Sequence, residues 1–416
     1  MKLPRGRLRG SLRLPGSKSV TNRALVAAAL APGRSEIVAP LESDDTRALS
    51  EALVRLGATV GRGRDRWEVT GPVCAAREDE IVLDVGPAGT PARFLLALLS
   101  ALPGRFVLDG SPRMRERPMG PLVEALRSRG ARIETLGAEG YLPLRILGGA
   151  LAGGEVSIRA DVSSQFVSAL LLASPVVPGG LSVRAEGRPV SGAYVELTRG
   201  VLRAFAPDGA YRPARFVVPG DDSAACFPIA GAVASGGRVR LEGLDPGSLQ
   251  PDADFRRWAR EAGGCLRWEG EGDGAALVVE GGDPGGLDVD VDAAPDAALP
   301  LAALVAFCRG SARLRGVARL REKESDRLSA ALGLLRRAGA VARVEAAAGA
   351  PSLLIDGFAG RPRRADFTSS DDHRVAMSAA VLALTLPDGC TLDAPEVVTK
   401  SYPGFWDDWR SLVAPA

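Results

Sequence analysis

One pattern recurs along this chain and limits its fold more than any other feature. An amphipathic helix, often closed by Gly-Ala, is followed by an alternating strand. The clearest copy runs from Asp44 through Leu49, Leu53 and Leu56 to Gly57-Ala58 and Thr59-Val60. A second runs from Pro121 through Leu122 and Leu126 to Gly130-Ala131 and Arg132-Ile133. Another runs from Ser325 through Leu328, Leu332 and Leu335 to Gly339-Ala340 and Val341-Ala342. Leucines at helical spacing with Gly just beyond them specify a helix and its C-terminal cap. Looser copies run from Tyr194 to Phe205, from Asp254 to Gly263 and from Phe405 to Val413. The six starts lie about 55–80 residues apart, longer than ordinary solenoid periods. Second helices (93–97, 166–170) and short strands (155–159) stand between them. The expectation is an α/β protein of six units, each with two helices and several strands. At 416 residues, six units fit two domains of three, with a break near Val218-Pro219-Gly220.

A formal net charge of +2 gives no global field to attract nucleic acid or a membrane surface, and the few aromatics add nothing for RNA. Any basic site must be a local concentration. The opening MKLPRGRLRG lacks the apolar run of a secretory signal, and no 18 apolar residues run uninterrupted. Cys74, Cys226, Cys265, Cys308 and Cys390 are scattered, with no Cys-x-x-Cys and no Cys/His cluster. Zinc and a disulfide framework are therefore not expected. The chain reads as cytoplasmic, with free and mostly buried thiols.

Cationic and small polar residues gather at the edges of the units. In Leu14 to Leu25, LPGSKSVTNRAL, a turn ends in Ser17, a candidate helix N-cap. Lys18, Ser19, Asn22 and Arg23 then fall in the first turns of the helix. Free N–H groups and a positive dipole end, reinforced by Lys, Ser and Arg, suit a phosphate or carboxylate. Gly86 to Arg93 is a Gly-bearing turn into a helix, which lets a ligand approach the backbone. Arg113, Arg115 and Arg117 crowd five residues. Alternation in an extended segment would divide them between two faces, and Pro118 restrains Arg117, which is therefore singled out. Asp161-Val162-Ser163-Ser164-Gln165 offers hydroxyls and an amide at another helix start, for capping or for neutral bonds to oxygens.

Asp296 is a lone carboxylate opening an apolar helix, either a cap or a general base. Asp288, Asp290 and Asp292 precede it on one strand face, and nothing else supports a metal there. Arg321 to Arg327 mixes signs at a helix start. Read as a site, it pairs Lys323 and Arg327 as anion ligands with Glu324 as acid/base. Asp371-Asp372-His373-Arg374 contains the single His, which can serve only to orient its neighbours. Lys400 stands just before the last helix. So many cations call for a substrate pair carrying several negative charges. The absence of a P-loop or G-x-G-x-x-G disfavours nucleotide hydrolysis and dinucleotide redox.

Nearly end to end, the chain resembles the 5-enolpyruvylshikimate-3-phosphate synthases among the enolpyruvyl transferases. LPGSKSVTNRAL, AGT-x-x-R, RMRERP, SSQF, GDDSAA, PDAALP, KESDR, DDHRVAM and VTKSYP follow one another in the family's order. The resemblance implies two domains, 1–15 with 220–416 and 16–219, each of three βαβαββ units, crossed near Pro15 and Pro219, with the active site in the cleft between them. It implies transfer of the enolpyruvyl group of phosphoenolpyruvate to the 5-hydroxyl of shikimate 3-phosphate, through a tetrahedral ketal, without metal or organic cofactor, in a monomer. Lys18, Ser19 and Arg23 would bind the shikimate moiety, Lys18 reaching phosphoenolpyruvate too. Ser163, Ser164, Ser191 and Lys323 would hold the 3-phosphate, with Gln165 between the substrates. Arg117, Arg327, Arg374 and Lys400 would clamp phosphoenolpyruvate, with Gly89 close to it. Asp296 would be the base, and Glu324 the residue for proton transfer at the methylene carbon. Two departures stand out: Pro87 where many members have Asn, and Arg319, often Asn. The alternatives are the sister transferase acting on UDP-N-acetylglucosamine, whose loop Cys is missing between Cys74 and Cys226, and a non-catalytic or altered-acceptor paralogue.

Overall fold

The computed structural model describes residues 1–73, 79–159, 163–187, 192–347 and 350–414. The chain divides into two compact units, Gly16–Pro219 and a discontinuous one made of Met1–Pro15 with Gly220–Ala416. Each has its own apolar core.

Four sheets share one plan, a parallel pair followed by two antiparallel strands. In the discontinuous unit Arg7–Arg13 runs parallel to Arg238–Glu242, which pairs antiparallel with Ala276–Glu280 and then Cys265–Glu269. Asp288–Asp290, Ser311–Arg315, Ala350–Asp356 and Val341–Ala347 repeat the plan. In Gly16–Pro219 the strands Ile81–Asp84, Gly104–Asp109, Leu144–Gly148 and Arg132–Thr135 do the same. So do Arg215–Val217, Gly33–Val38, Arg66–Gly71 and Thr59–Arg62, whose opening strand comes from the far end of the unit.

The last two copies are shorter. Among the described residues they keep only a parallel pair, Gly154–Arg159 with Leu181–Glu186 and Asp366–Phe367 with Thr391–Leu392. These contain the loose copies that start at Tyr194 and Phe405. Their helices, Gly192–Phe205 and Phe405–Leu412, each lead to a strand that joins another sheet. The third loose copy, at Asp254, belongs to a complete sheet.

A helix precedes the second strand of every parallel pair, because parallel strands need a crossover. In Gly16–Pro219 these helices are Lys18–Leu30, Gly89–Ala101 and Ser164–Ala173. In the other unit they are Asp222–Ser235, Ala298–Leu304 and His373–Ala383. Every residue from Val20 to Leu30 is buried, and His373–Ala383 is buried throughout. Helices buried all round are enclosed by other elements, so Ala-rich and Leu-rich sequences without a polar face suit them. The second helices, such as Asp44–Arg55 and Arg327–Ala338, bury one face, and Gly339 closes the latter at a φ of 90° that favours Gly. This division leaves the first turns of the buried helices as the places where polar side chains gather.

Candidate active site

In Gly16–Pro219 the first turns of three buried helices meet. Ser17 holds the N-cap position of Lys18–Leu30, as the sequence suggests, though without a side-chain capping bond. Lys18 Nζ lies 2.9 Å from Asp45 Oδ2, at the start of helix Asp44–Arg55. Arg23 is only 2% exposed. Its Nε donates to Thr198 Oγ1 at 2.7 Å, Nη1 to Ser19 O at 2.8 Å, and Nη2 to Ser168 Oγ and Tyr194 O, both at 3.2 Å. Phe94 and Tyr194 flank it, their ring centroids 5.3 and 5.7 Å away. Burial brings the guanidinium down to about 10. Among the described residues four of its five N–H groups have protein acceptors, and the second hydrogen on Nη1 has none.

Gly89 opens the second helix. A Cβ there would lie 2.5 Å from Arg117 Nη1 and 2.6 Å from Arg93 Nη1. Both guanidiniums occupy the space a side chain would take, which accounts for the glycine. Arg93 is buried, donates to Gly89 O and Pro118 O at 3.0 and 3.1 Å, and lies over the Phe166 ring.

The arginine-rich segment is not extended. Pro112–Arg115 is a short helix capped by Ser111, so the expected alternation of faces does not apply. Ser followed by Pro, an N-cap and N1 pair, is the signal that identifies it. Arg113 and Arg115 go to Glu116 and Asp109 on the surface, at 2.7 and 2.6 Å. Arg117, the one singled out, turns to Gly89.

Ser163 caps the third helix, accepting from Gln165 N at 3.2 Å, and Gln165 Nε2 donates to Thr90 Oγ1 at 3.1 Å. Ser164 is buried in the first turn of that helix. Ser191 and Asp161 lie outside the described residues. The structure therefore brings Lys18, Ser19, Arg23, Gly89, Arg93, Arg117, Ser163, Ser164 and Gln165 to the N-terminal ends of adjacent helices. Dipoles, N–H groups and the four cations Lys18, Arg23, Arg93 and Arg117 there favour anions.

The discontinuous unit holds a second cluster. Asp296 sits in the 3-10 helix Pro295–Ala297, just before helix Ala298–Leu304, and does not cap it. Its Oδ1 is 2.7 Å from Arg327 Nη1 and 3.3 Å from Lys323 Nζ, and its Oδ2 is 3.1 Å from Arg374 Nη2. Burial alone would raise this carboxyl. Arg374, Lys323 and Arg327 outweigh that and hold it well below the usual range.

Arg327, 1% exposed, also meets Glu324 at 2.7 Å and Asp372 at 2.7 and 3.2 Å. Asp372 in turn accepts from Arg374 N at 2.9 Å and so caps helix His373–Ala383. His373 is buried with Nδ1 3.7 Å from Asp372 Oδ1, which suits an orienting role. Lys400 is buried at the end of the 3-10 helix Pro395–Lys400. Asp288 and Asp290 face Arg315, at 2.7 and 4.0 Å, and Asp292 faces Arg319 at 3.1 Å. Arg315 and Arg319 are thus the cationic neighbours of these aspartates.

A family model for EPSP synthase (3-phosphoshikimate 1-carboxyvinyltransferase) matches residues 3–409. The chain belongs to the EPSP synthase family. A 3-phosphoshikimate 1-carboxyvinyltransferase of Vibrio atlanticus is 36% identical over 427 residues, covering 98% of each chain. One of a Sulfurovum species is 37% identical over 425 residues, covering 97% of each. The EPSP synthase structure from Acinetobacter baumannii superposes with a TM-score of 0.82 at 26% identity, covering 100% of this chain and 98% of that one. The EPSP synthase family is one of transferases, so this chain is an enzyme, and the UDP-N-acetylglucosamine alternative is not favoured. No helix among the described residues is long and apolar enough to cross a membrane.

Some of the partners that hold the candidate site residues carry no local signal in the sequence. Asp45 and Thr198 are long-range, and no local pattern marks them. Asp372 was visible as an acidic residue before an apolar helix, which is a capping signal.

Proposed function

We propose that the chain transfers the enolpyruvyl group of phosphoenolpyruvate to the 5-hydroxyl of shikimate 3-phosphate and releases phosphate. One observation carries this reading: Asp296 faces Lys323, Arg327 and Arg374 at once, with Glu324 on the same Arg327. A carboxylate surrounded in this way is a weak base while it is the cations' main counter-ion. When the substrates' phosphates and carboxylates engage those cations, the hold on Asp296 relaxes and its affinity for the 5-hydroxyl proton rises.

The hydroxyl oxygen adds to the substituted carbon of phosphoenolpyruvate while the methylene carbon gains a proton, giving a tetrahedral ketal. Elimination then returns a proton from the methyl group and expels phosphate, so atoms balance. Glu324 and Lys18 are the residues proposed for proton transfer at that carbon. Lys323, Ser163, Ser164 and Ser191 are the residues proposed for the 3-phosphate, and Lys18, Ser19 and Arg23 for the shikimate moiety. Arg117, Arg327, Arg374, Lys400 and the bare Gly89 are those proposed for phosphoenolpyruvate, with Lys18 and Gln165 serving both substrates. Preorganised cations of this kind supply orientation and charge stabilisation together. Pro87 cannot donate a backbone N–H to either substrate.

Phosphate release from phosphoenolpyruvate, measured with shikimate 3-phosphate and separately with UDP-N-acetylglucosamine, tests the reading. Release only with shikimate 3-phosphate is expected. Release with UDP-N-acetylglucosamine instead would move the chain to the sister activity, and release with neither would leave an anion-binding paralogue.

A further inference from the structure

Ser223 and Asp252 have no part in the reaction as set out above. Ser223 is the second residue of helix Asp222–Ser235, and Asp252 lies in the 3-10 helix Pro251–Asp254. Ser223 Oγ donates to Asp252 Oδ2 and accepts from Arg374 Nη2 at 3.3 Å. That same nitrogen lies 3.1 Å from Asp296 Oδ2. The four residues form one line, Asp252–Ser223–Arg374–Asp296.

Asp252 is 3% exposed, and its Oδ1 has no hydrogen-bond partner among the described residues. Among the described residues it has one hydroxyl donor and no ion pair, and a carboxylate desolvated this far is destabilising where it stands. Burial, reinforced by the charge of Asp296, pushes it up to about 7. Packing alone gives no reason for a carboxyl here, since an apolar side chain would fill the space at lower cost. Its bond to Ser223 does have a consequence. When the serine proton points at Asp252, a lone pair is left facing Arg374. Both Nη2 hydrogens of Arg374 then have acceptors, Asp296 and Ser223, and two acceptors on one nitrogen set the plane of the guanidinium.

We infer that Ser223 and Asp252 are positioning residues for Arg374, holding its guanidinium in the plane in which it meets phosphoenolpyruvate. The inference rests on the role given to Arg374 under the proposed function. It predicts a substrate-selective defect. Ser223→Ala raises KM for phosphoenolpyruvate about tenfold, the loss of one hydrogen bond to a charged group, with KM for shikimate 3-phosphate unchanged. Asp252→Asn, which keeps the shape and an acceptor oxygen, shifts the same constant in the same direction by less. The double variant is no worse than Ser223→Ala, because both changes act through Arg374. Adding Ser223→Ala to Arg374→Lys costs nothing further.

A crystal structure of Ser223→Ala, which needs no activity, shows the Arg374 guanidinium turned away from Asp296. Equal rises in both KM values, additive single effects, a persisting effect on the Arg374→Lys background, or an unmoved guanidinium would each overturn the inference. A wild-type enzyme that releases no phosphate from phosphoenolpyruvate would sink the functional reading instead, and the crystal structure would still decide the positioning.

Discussion

Asp296 and Glu324 are ion-paired to one guanidinium: Arg327 reaches Asp296 with Nη1 and Glu324 with Nη2, each at 2.7 Å. The candidate base and the candidate acid are thus held in mutual geometry by a side chain whose Nε is in turn anchored 2.7 Å from Asp372. Burial acts to lower Arg327, yet the charges of Asp372, Glu324 and Asp296 leave it raised above its ordinary range.

Replacing this hub tests its importance. Lys has one ammonium and cannot bridge three carboxylates in a plane. Arg327→Lys is expected to lower kcat/KM at least about 100-fold and to lower Tm by several degrees, because buried carboxylates lose their partner. Steady-state kinetics and thermal unfolding check both, and an activity within tenfold of wild type would refute the shared-hub account.

Gly89→Ala places a methyl group where the Arg117 and Arg93 guanidiniums now lie. Arg93 is buried and bound to two carbonyls, whereas Arg117 is half-buried, so Arg117 gives way. KM for phosphoenolpyruvate should rise about tenfold, on the order of 1–2 kcal/mol for a local overpacking, with Tm little changed. A large fall in Tm with KM intact would mean that Arg93 moves instead.

Asp252 makes stability depend on pH. Its carboxyl is raised from 3.8 to about 7 on folding, so the folded state favours its neutral form. The stability it contributes is full below the unfolded value and is lost as pH rises through about 7. Between pH 5 and pH 8 the stability of wild type relative to Asp252→Asn should fall by roughly 2–3 kcal/mol. Urea unfolding of both proteins at the two pH values measures this, and a constant difference would refute it.

Arg23 is predicted to matter for stability as well as for substrate. Its bonds join helix Lys18–Leu30 to Ser164–Ala173 and Gly192–Phe205. Arg23→Lys keeps the charge but loses the fork, and should destabilise the protein by roughly 2–4 kcal/mol. An unchanged Tm would show that these contacts contribute little beyond ligand binding.

Local signals in the sequence explain what could be read from it. Gly339 after Leu335 marks a helix end because only glycine is at ease at that φ, and the complete copies carry that mark. The shortened copies were loose for a physical reason: the strands that follow them serve other sheets, so their spacing differs. Charges at helix starts mark Lys18, Asp296, Lys323 and Arg374 as candidates, and the structure shows which groups each of them meets. Ser223 and Asp252 escaped notice because a hydroxyl and an aspartate acquire meaning only through what tertiary packing sets beside them. Arg117 does turn to Gly89, but it follows the short helix that Ser111-Pro112 starts rather than an extended segment.

Strand Arg215–Val217, which completes the first sheet of its unit from the far end, also sets an order of assembly. That sheet stays open until the ribosome has made nearly the whole unit, and the Ser17 N–Pro219 O bond at 2.8 Å then closes its two ends together. Strand Arg7–Arg13 waits longer still. Ser11 bonds to Arg240, 229 residues downstream, so the first strand synthesised finds its parallel partner only after the other unit has been made in full.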